Sequence, residues 1–201
     1  LEKTLDRMAF FKLNRLHLHL TDDQGWRIEI NQYPKLMEIG GASAVKGGRS
    51  GWYTQEELKH LVAYAQARGI TLVPEIDLPG HVQAALASYN ELACDDTKNL
   101  APYSGLEVGF SVLCLDKPDV VYPFVRNVLE EVLAIFPSQE IHVGGDEIKH
   151  PLYADFVSRA AAMVRSVAKG APRVRAIEVG RWLTGLPAAS AMVMFSAPAV
   201  S

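Results

Sequence analysis

The chain has 201 residues, of which 49% are hydrophobic and 21% are charged, and its formal net charge is −3 at pH 7. This composition is typical of a globular domain of ordinary size that buries a substantial core. The slightly acidic balance, with no block of lysines or arginines, argues against nucleic acid as a partner. No apolar run approaches the ~20 residues needed to span a bilayer, so we expect a soluble protein without a membrane span.

The chain begins at Leu1 rather than at a methionine, and no signal peptide is visible. The location is therefore left open: the protein is secreted or periplasmic if a signal peptide was removed or lies outside this chain. Cys94 and Cys114 are predicted to be buried free thiols rather than a disulfide, and their spacing fits no metal motif.

Helical and extended patterns alternate from the start of the chain. Apolar residues recur at helical spacing in residues 1–12, which predicts a helix there. Residues 15–21 alternate strictly, which predicts a strand with leucines on one face and histidines on the other. A polar segment follows, and then a short helix over 34–40 and a glycine-rich loop over 41–52 are predicted.

The rest of the chain repeats this alternation. Residues 54–57 form a capping box that opens a helix ending at Gly69, and residues 70–73 form the next strand. We predict that residues 90–111 form a long loop, called the excursion below. Such loops inside a compact domain are usually functional. The remaining predicted elements are helices over 118–136 and 153–168, a strand entering the 141–147 segment, and strands over 173–179 and 191–195.

Repeated units of strand, helix and strand predict an α/β fold with a parallel sheet, either a barrel or a doubly wound sheet. Polar residues follow separate predicted strands, at the end where barrel enzymes build their sites. A doubly wound nucleotide-binding fold should instead carry a glycine fingerprint after its first strand, and the sequence has none. We therefore expect a barrel whose candidate site residues are Asp22, Asp23, His81, Asp146 and Glu147.

The last two of these residues are adjacent carboxylates that follow two glycines. Neighbouring side chains of a regular strand point to opposite faces, so Asp146 and Glu147 serve one site only if the chain turns. Gly144 and Gly145 permit such a turn. The pair then fits an acid/base device, whereas the alternative is that Asp146 simply caps a following helix.

Three motifs together resemble a known family: KLNRLHLHLTDDQGWR at 12–27, PEIDLPGH at 74–81 and IHVGGDE at 141–147. In this order they are similar to those of glycoside hydrolase family 20, whose members are β-N-acetylhexosaminidases. The resemblance implies hydrolysis of terminal, non-reducing, β-linked GlcNAc or GalNAc in oligosaccharides or glycoconjugates, as in chitin or glycan degradation. It also implies part of a (β/α)8 TIM-type barrel, about strands two to six.

By this resemblance the mechanism is retaining and substrate-assisted, with the substrate's own 2-acetamido oxygen attacking the anomeric carbon. Glu147 would protonate the leaving oxygen, and Asp146 would orient the acetamido N–H and stabilise its developing positive charge. Asp22 and His81 would form a relay with Glu147 that tunes its proton affinity, because a carboxylate fixes the tautomer of an imidazole. The resemblance implies no cofactor and no metal.

Other residues of the motifs and loops are candidates for substrate binding, and each has a structural alternative. An aspartate at a strand end is often only a turn former, and a tryptophan is often a packing residue. The histidines of the strands would face the barrel interior as core or supporting residues, and Glu75 and Asp77 are further candidates for support. The interior histidines are His17, His19 and His142, and the predicted substrate-binding set is Asp23, Trp26, Arg27, Trp52, His142 and Trp182.

Two rival functions fit parts of the same pattern. Histidines on several strands together with Asp146 could bind zinc, as in barrel hydrolases of the amidohydrolase type, but that interpretation leaves the adjacent carboxylate pair unexplained. The chain could also be a truncated carbohydrate-binding relative without activity. The zinc set would be His17, His19, His81, His142 and Asp146.

The length raises the question of completeness. A (β/α)8 barrel typically needs ~250 residues, and ~200 is the lower limit. We therefore expect residues 1–201 to be an incomplete catalytic barrel from a larger enzyme, with little activity alone and with open strand edges that invite self-association. Pairing between the strands at 15–21 and 191–195 would instead indicate a complete barrel.

Overall fold

The computed structural model describes residues 1–97, 99–138, 140–145 and 148–167, and the backbone of 175–177 and 192–196. Helices and strands alternate along these residues as the sequence predicts. The helices are α1 (Glu2–Phe10), α2 (Lys35–Glu38), α3 (Gln55–Gln66), α4 (Gln83–Ser88), α5 (Pro118–Ile135) and α6 (Tyr153–Val167). The strands are β1 (Arg15–His19), β2 (Thr21–Asp22), β3 (Gly25–Trp26), β4 (Thr71–Glu75), β5 (Glu140–His142), β6 (Arg175–Ile177) and β7 (Met192–Ser196).

Five of the strands form one parallel sheet in the order β6-β5-β4-β1-β7, and β2 and β3 form a separate antiparallel hairpin. Strands β1, β4, β5 and β6 therefore lie side by side in the order in which the chain makes them. At the carboxyl ends of the strands, His19 is level with Glu75, and Glu75 is level with His142. This register brings polar residues of three strands to one end of the sheet.

The two faces of the sheet differ in chemistry because side chains alternate along each strand. One face carries buried residues such as Leu16, Leu72 and Ile141, which join the main core together with Leu5 of α1 and Val128 of α5. The opposite face, called the polar face below, carries Arg15, His17 and His19 of β1, Glu75 of β4, and Glu140 and His142 of β5. The predicted division of the first strand into a leucine face and a histidine face is confirmed.

Helices α1, α3, α5 and α6 pack on the leucine side and follow one another around the sheet. Contacts join α1 to α3, α3 to α5, and α5 to α6. A doubly wound sheet would place helices on both faces, so this arrangement is that of an α/β fold of the TIM-barrel-like kind. None of the helices in the described part of the chain is long and apolar enough to cross a bilayer.

Strand β7 pairs with β1 in parallel register, from Arg15 level with Met192 to His19 level with Ser196. This is the pairing that we named as the mark of a complete barrel. Within the described residues, however, β6 and β7 are not paired with each other and lie at opposite ends of the strand order. The pairing satisfies the edge of β1, whose backbone groups would otherwise lack partners, but it does not close the sheet.

The predicted capping box at the start of α3 is confirmed. The Glu57 backbone N–H donates to Thr54 Oγ1 at 3.2 Å, and the Thr54 backbone N–H donates to Glu57 Oε2 at 2.7 Å. These bonds satisfy two donors that a helix N-terminus leaves unpaired.

The prediction of free thiols is wrong, because Cys94 and Cys114 form a disulfide. The segment between them leaves the domain after the 3-10 turn Asn90–Leu92 and returns so that the two Cα atoms are 4.7 Å apart, within the range for disulfides. The returning segment then pairs with the loop after β4, through a bridge between Gly80 and Val112. The excursion is thus anchored at both of its ends.

Candidate active site

The carboxyl ends of β1, β4 and β5 carry the loops that form the candidate site. Asp22 lies in the hairpin after β1, His81 in the loop after β4, and Gly144 and Gly145 directly after β5. In a parallel sheet these ends meet at one edge, as in barrel enzymes. Asp146, Glu147 and Trp182 lie outside the described residues, and their predicted roles stay predictions.

Gly144 and Gly145 adopt the conformations that the turn after β5 requires, with φ angles of 70° and 108°. A side chain at Gly144 would collide with the Asp77 carboxylate. The Gly145 backbone N–H donates to Asp77 Oδ1 at 3.3 Å, and the Tyr153 hydroxyl donates to the Gly145 carbonyl at 3.2 Å. Glycine is needed here both for the backbone angle and for this close approach.

The residue that follows the carboxylate pair lies against the same loop. A Cβ on Gly80 would collide with the side chain of Ile148, so the two chain segments touch. Gly145, which precedes Asp146, contacts Asp77. Both described neighbours of the Asp146–Glu147 pair are therefore held against the loop that carries His81.

Asp22 and His81 are in contact, with His81 Nδ1 3.3 Å from Asp22 Oδ1. His81 has a φ of 53°, which is uncommon for a residue with a side chain and directs its ring from the loop toward Asp22. The Asp23 backbone N–H also donates to Asp22 Oδ1, at 2.6 Å. Hydrogen bonding to Asp22 and Asp23 raises the pKa of His81 to about 11, against the opposing effect of burial.

Asp23 is fully buried, and its predicted contact with substrate stays a prediction. Its Oδ1 accepts hydrogen bonds from the Gln83 backbone N–H at 3.0 Å and from the Ser111 hydroxyl. Ser111 in turn accepts from the Val82 backbone N–H at 2.8 Å. Asp23 thus joins the hairpin after β1, the loop after β4 and the returning end of the excursion.

Glu75 lies at the centre of the polar face and contacts three histidines. Its Oε1 lies 2.7 Å from His142 Nδ1, and its Oε2 lies 2.8 Å from both His17 Nε2 and His19 Nδ1. Burial alone would raise the pKa of Glu75, but the hydrogen bonds with the three rings lower it well below its usual range. Glu75 is therefore an anion in a buried, histidine-lined position.

These short distances do not favour the zinc alternative. Ligands about 2.0 Å from one tetrahedral zinc are roughly 3.3 Å apart, whereas the Glu75 oxygens lie 2.7 Å from His142 and 2.8 Å from His17, as in hydrogen bonds. His81, another member of the proposed zinc set, contacts Asp22 and Asp23 instead. His142 itself is buried against Glu75, and its predicted contact with substrate stays a prediction.

His19 connects the centre of the polar face with the hairpin. Its Nδ1 faces Glu75, and its Nε2 lies 3.4 Å from Asp22 Oδ2. Burial alone lowers the pKa of His19, but the hydrogen bonds to Asp22 and Glu75 outweigh it and raise the pKa to about 10. Burial likewise opposes the anionic form of Asp22, yet the bonds from His19 and His81 lower its pKa well below its usual range.

Trp26 and Arg27 were predicted to bind substrate; both side chains are buried in the structure, and their substrate contacts stay predictions. Trp26 is 1% exposed, packs against Phe124 and donates its indole N–H to the Ile28 carbonyl at 2.8 Å. Arg27 is also buried and donates its guanidinium N–H groups to backbone carbonyls. Its acceptors are Gly41 at 3.2 Å, Gly51 at 3.1 Å, Gln24 at 3.0 Å and Ser43 at 2.6 Å.

Trp52 differs from Trp26, because it is 37% exposed. It lies next to Gly51, whose carbonyl accepts a hydrogen bond from Arg27, and its ring lies close to Gly41. Arg27 therefore fixes the loop that presents Trp52. A sugar-stacking role for Trp52 stays a prediction.

Sequence reasoning missed the central position of Glu75 and the link through Ser111. Glu75 was considered only as a possible supporting residue, although its place at the end of β4, level with His19, was a usable signal once the strands were paired. Ser111 sits in the excursion, and no local pattern there indicates a contact with Asp23.

Comparisons with known proteins place the chain in a family. The model of a family described as glycosyl hydrolase family 20, catalytic domain, matches residues 1–175. A beta-N-acetylhexosaminidase from Cellulomonas fimi is 42% identical over 172 residues, which cover 84% of this chain and 34% of that protein. A beta-hexosaminidase from Porphyromonas gingivalis is 46% identical over 149 residues, which cover 73% of this chain and 19% of that protein.

Solved structures show the same likeness in three dimensions. A mutant Streptomyces plicatus beta-hexosaminidase in complex with its product GlcNAc superposes with a TM-score of 0.79 at 46% identity. The superposed region covers 83% of this chain and 34% of that chain. The chain thus spans about a third or less of the length of these relatives.

Proposed function

Because the chain belongs to glycoside hydrolase family 20, we propose that it forms the catalytic part of a β-N-acetylhexosaminidase. The substrate is a terminal, non-reducing, β-linked GlcNAc or GalNAc residue of an oligosaccharide or glycoconjugate. The relatives' printed names, which include beta-N-acetylhexosaminidase and N,N'-diacetylchitobiase, support this substrate class.

The proposed reaction is retaining and substrate-assisted. The 2-acetamido oxygen of the substrate attacks the anomeric carbon, and Glu147 donates a proton to the leaving oxygen. Asp146 orients the acetamido N–H and stabilises the positive charge that develops on the group. Asp22 holds His81, which serves Glu147 as its hydrogen-bonding partner and adjusts its proton affinity.

One observation carries this proposal: the described residues on both sides of the Asp146–Glu147 pair contact the loop that bears His81. Gly145 bonds to Asp77, and Ile148 packs against Gly80. His81 in turn contacts Asp22, whose pKa is lowered by its hydrogen bonds although burial opposes the shift. An anionic aspartate beside a cationic imidazole supports a proton-handling site rather than a sugar-binding surface alone.

A finer assignment of the barrel belongs to the same proposal. Strands β1, β4, β5, β6 and β7 correspond to about strands two to six of a (β/α)8 barrel. The position of β7 beside β1 differs from that scheme, because strands two and six of a closed eight-stranded order are not neighbours. The single incomplete catalytic barrel over 1–201, and self-association through strand edges, stay predictions.

The experiment is hydrolysis of a chromogenic N-acetylglucosaminide, with the unacetylated glucoside as control. We expect turnover of the first substrate, slow because the barrel is predicted to be incomplete, and none of the second. A stable oxazoline mimic should inhibit, because the acetamido group is the nucleophile. Equal hydrolysis of both substrates would contradict the substrate-assisted mechanism. Binding of the sugar without turnover would support the inactive carbohydrate-binding relative instead.

A further inference from the structure

Glu75 is linked to His81 by three successive contacts, through His19 and Asp22, and it lies on the polar face rather than in a loop. Its carboxylate is 3% exposed, and every described ring around it belongs to a histidine: His17 and His19 from β1, and His142 from β5. Strand β7, the other neighbour of β1, contributes no titratable residue over 192–196. Among the described residues, Asp77, which follows β4, also acts electrostatically on His19.

The geometry fixes the protonation of His19. A carboxylate only accepts hydrogen bonds, so each ring nitrogen that bonds to one must carry a hydrogen. His19 Nδ1 lies 2.8 Å from Glu75, and His19 Nε2 lies 3.4 Å from Asp22. Both nitrogens therefore donate, and the ring is an imidazolium between two carboxylates. The pKa of about 10 for His19 agrees with this assignment.

The His19 cation in turn holds Asp22 in one orientation. Oδ2 of Asp22 faces His19, which leaves Oδ1 to face His81 Nδ1 at 3.3 Å. Asp22 is less buried than Glu75, with a side chain that is 37% exposed, so it depends on its partners for a fixed rotamer. The chain of contacts runs from Glu75 through His19 and Asp22 to His81.

From this chain we propose that Glu75 is a positioning residue, which acts through the imidazolium of His19 to fix Asp22 against His81 for proton transfer. The inference rests on the proposed function, since His81 matters here as the partner of Glu147. Glu75 touches none of the predicted reacting groups among the described residues. The other two histidines also contact the carboxylate: His142 lies against Oε1, and His17 lies against Oε2, the oxygen that also faces His19. These contacts hold the carboxylate in place.

The test is Glu75→Gln, which keeps the shape of the side chain and removes its charge. We expect kcat to fall about tenfold or more. This decrease should be smaller than the roughly 10²–10⁴-fold decrease that follows the loss of a general acid. KM should stay within about twofold, because Glu75 does not touch substrate, and the pH–rate profile should shift. The matched control is Glu140→Gln, a carboxylate on the same polar face at the opposite end of the strands, which should keep the wild-type kcat and profile.

A second readout does not depend on activity. Nitrogen-15 NMR of the imidazole rings should show His19 doubly protonated at pH 7.5 in the wild type and in Glu140→Gln. In Glu75→Gln the ring of His19 should lose its second proton at a lower pH than it does in the wild type. If Glu75→Gln does not fold, His19→Gln serves instead and should lower kcat with the same shift of the profile. A neutral His19 in the wild type, or a Glu75→Gln or His19→Gln enzyme with wild-type kcat and profile, would overturn the proposal.

The two proposals fail differently. A wild-type protein that does not distinguish the acetamido substrate from the glucoside contradicts the proposed function, whatever His19 does. A wild-type protein with that selectivity, but with a His19 that does not respond to Glu75→Gln, contradicts the positioning role alone.

Discussion

The polar face carries a glutamate and its hydrogen-bonding partners at each end of the strands. At the amino-terminal end Arg15 donates to Glu140, and at the carboxyl-terminal end Glu75 accepts from His19 and two further histidines. Guanidinium groups keep their charge at physiological pH, whereas imidazole is the side chain whose charge changes there unless its surroundings shift it. A glutamate therefore joins strands at both ends, but its partner is a guanidinium at one end and a set of imidazole rings at the other.

The difference follows the division of labour in barrel folds. Residues at the amino-terminal end of the strands serve stability, and residues at the carboxyl-terminal end serve the site. The contact of Arg15 joins β1 to β5 within the sheet, whereas the contacts of Glu75 continue through His19 into the loops that hold Asp22 and His81. A change at one end should therefore affect stability, and a change at the other should affect catalysis.

The largest effect is expected at the carboxyl-terminal end, for Glu147→Gln. The amide keeps the shape of the side chain but carries no transferable proton, so turnover should fall by roughly 10²–10⁴-fold. The measurement is kcat on substrates with poor leaving groups, together with a thermal unfolding curve that should be unchanged. Near-wild-type turnover of such substrates would show that Glu147 is not the acid.

The next effect concerns the disulfide that anchors the excursion near the same end. Cys94 and Cys114 are separated by 20 residues, and closing a loop of that length stabilises a protein by about 3 kcal/mol in the chain-entropy model. We expect the double variant Cys94→Ala/Cys114→Ala to lose stability of this order in urea unfolding. Reductant should destabilise the wild type and leave the double variant unaffected; equal sensitivity of both would contradict the pairing.

The anchored segment also supports the site, which sharpens the comparison. Ser111 donates to Asp23 and accepts from Val82, next to His81. Loss of the disulfide should therefore lower kcat as well as stability. A double variant that is less stable but fully active would restrict the role of the excursion to folding.

A third effect is the pH dependence of stability, which the two ends should not share. The pKa of His19 is raised to about 10, so its contribution is complete below its unfolded value of 6.5 and is lost as the pH rises through 10. The lowered pKa values of Glu75 and Asp22 act in the opposite sense: their contributions are present above 4.5 and 3.8 and are lost as the pH falls.

Together these groups favour the folded state most between about pH 4.5 and 6.5. Urea unfolding at pH 5.5, 7.5 and 9.5 should show a free energy of unfolding that decreases with pH. The decrease should be smaller in Glu75→Gln, because His19 then keeps only Asp22 as a carboxylate partner, and it should be unchanged in Glu140→Gln. A free energy of unfolding that rises from pH 7.5 to 9.5 would be inconsistent with a charged His19.

Local sequence patterns predicted the elements of the fold well, because the signals for strand faces and helix starts lie within a few residues. The alternation in residues 15–21 determined which side of β1 carries His17 and His19, and Thr54 and Glu57 fixed the start of α3. The resemblance to the family implied that Asp22 and His81 lie near each other, and the structure places them in contact. Both kinds of inference need no knowledge of distant contacts.

The contacts that sequence reasoning did not predict join residues that are distant in the chain. Trp26 and Arg27 sit in a polar loop that suggested exposure, yet the first packs against Phe124 and the second bonds to backbone carbonyls, which have no signature in the sequence. The histidine partners of Glu75 are 56 or more positions away in the chain, and no local pattern reveals them. Only the register of the sheet brings them together.

The smallest effect is expected at the amino-terminal end, for Glu140→Ala. Arg15 and Glu140 have side chains that are 21% and 12% exposed, so removing the acceptor leaves a partly buried guanidinium unpaired. Such a loss costs about 1–3 kcal/mol of stability. The free energy of unfolding should fall by this amount while kcat and the pH–rate profile stay those of the wild type. If kcat fell and stability did not, the polar face would act as one unit, and the functional division between its two ends would be wrong.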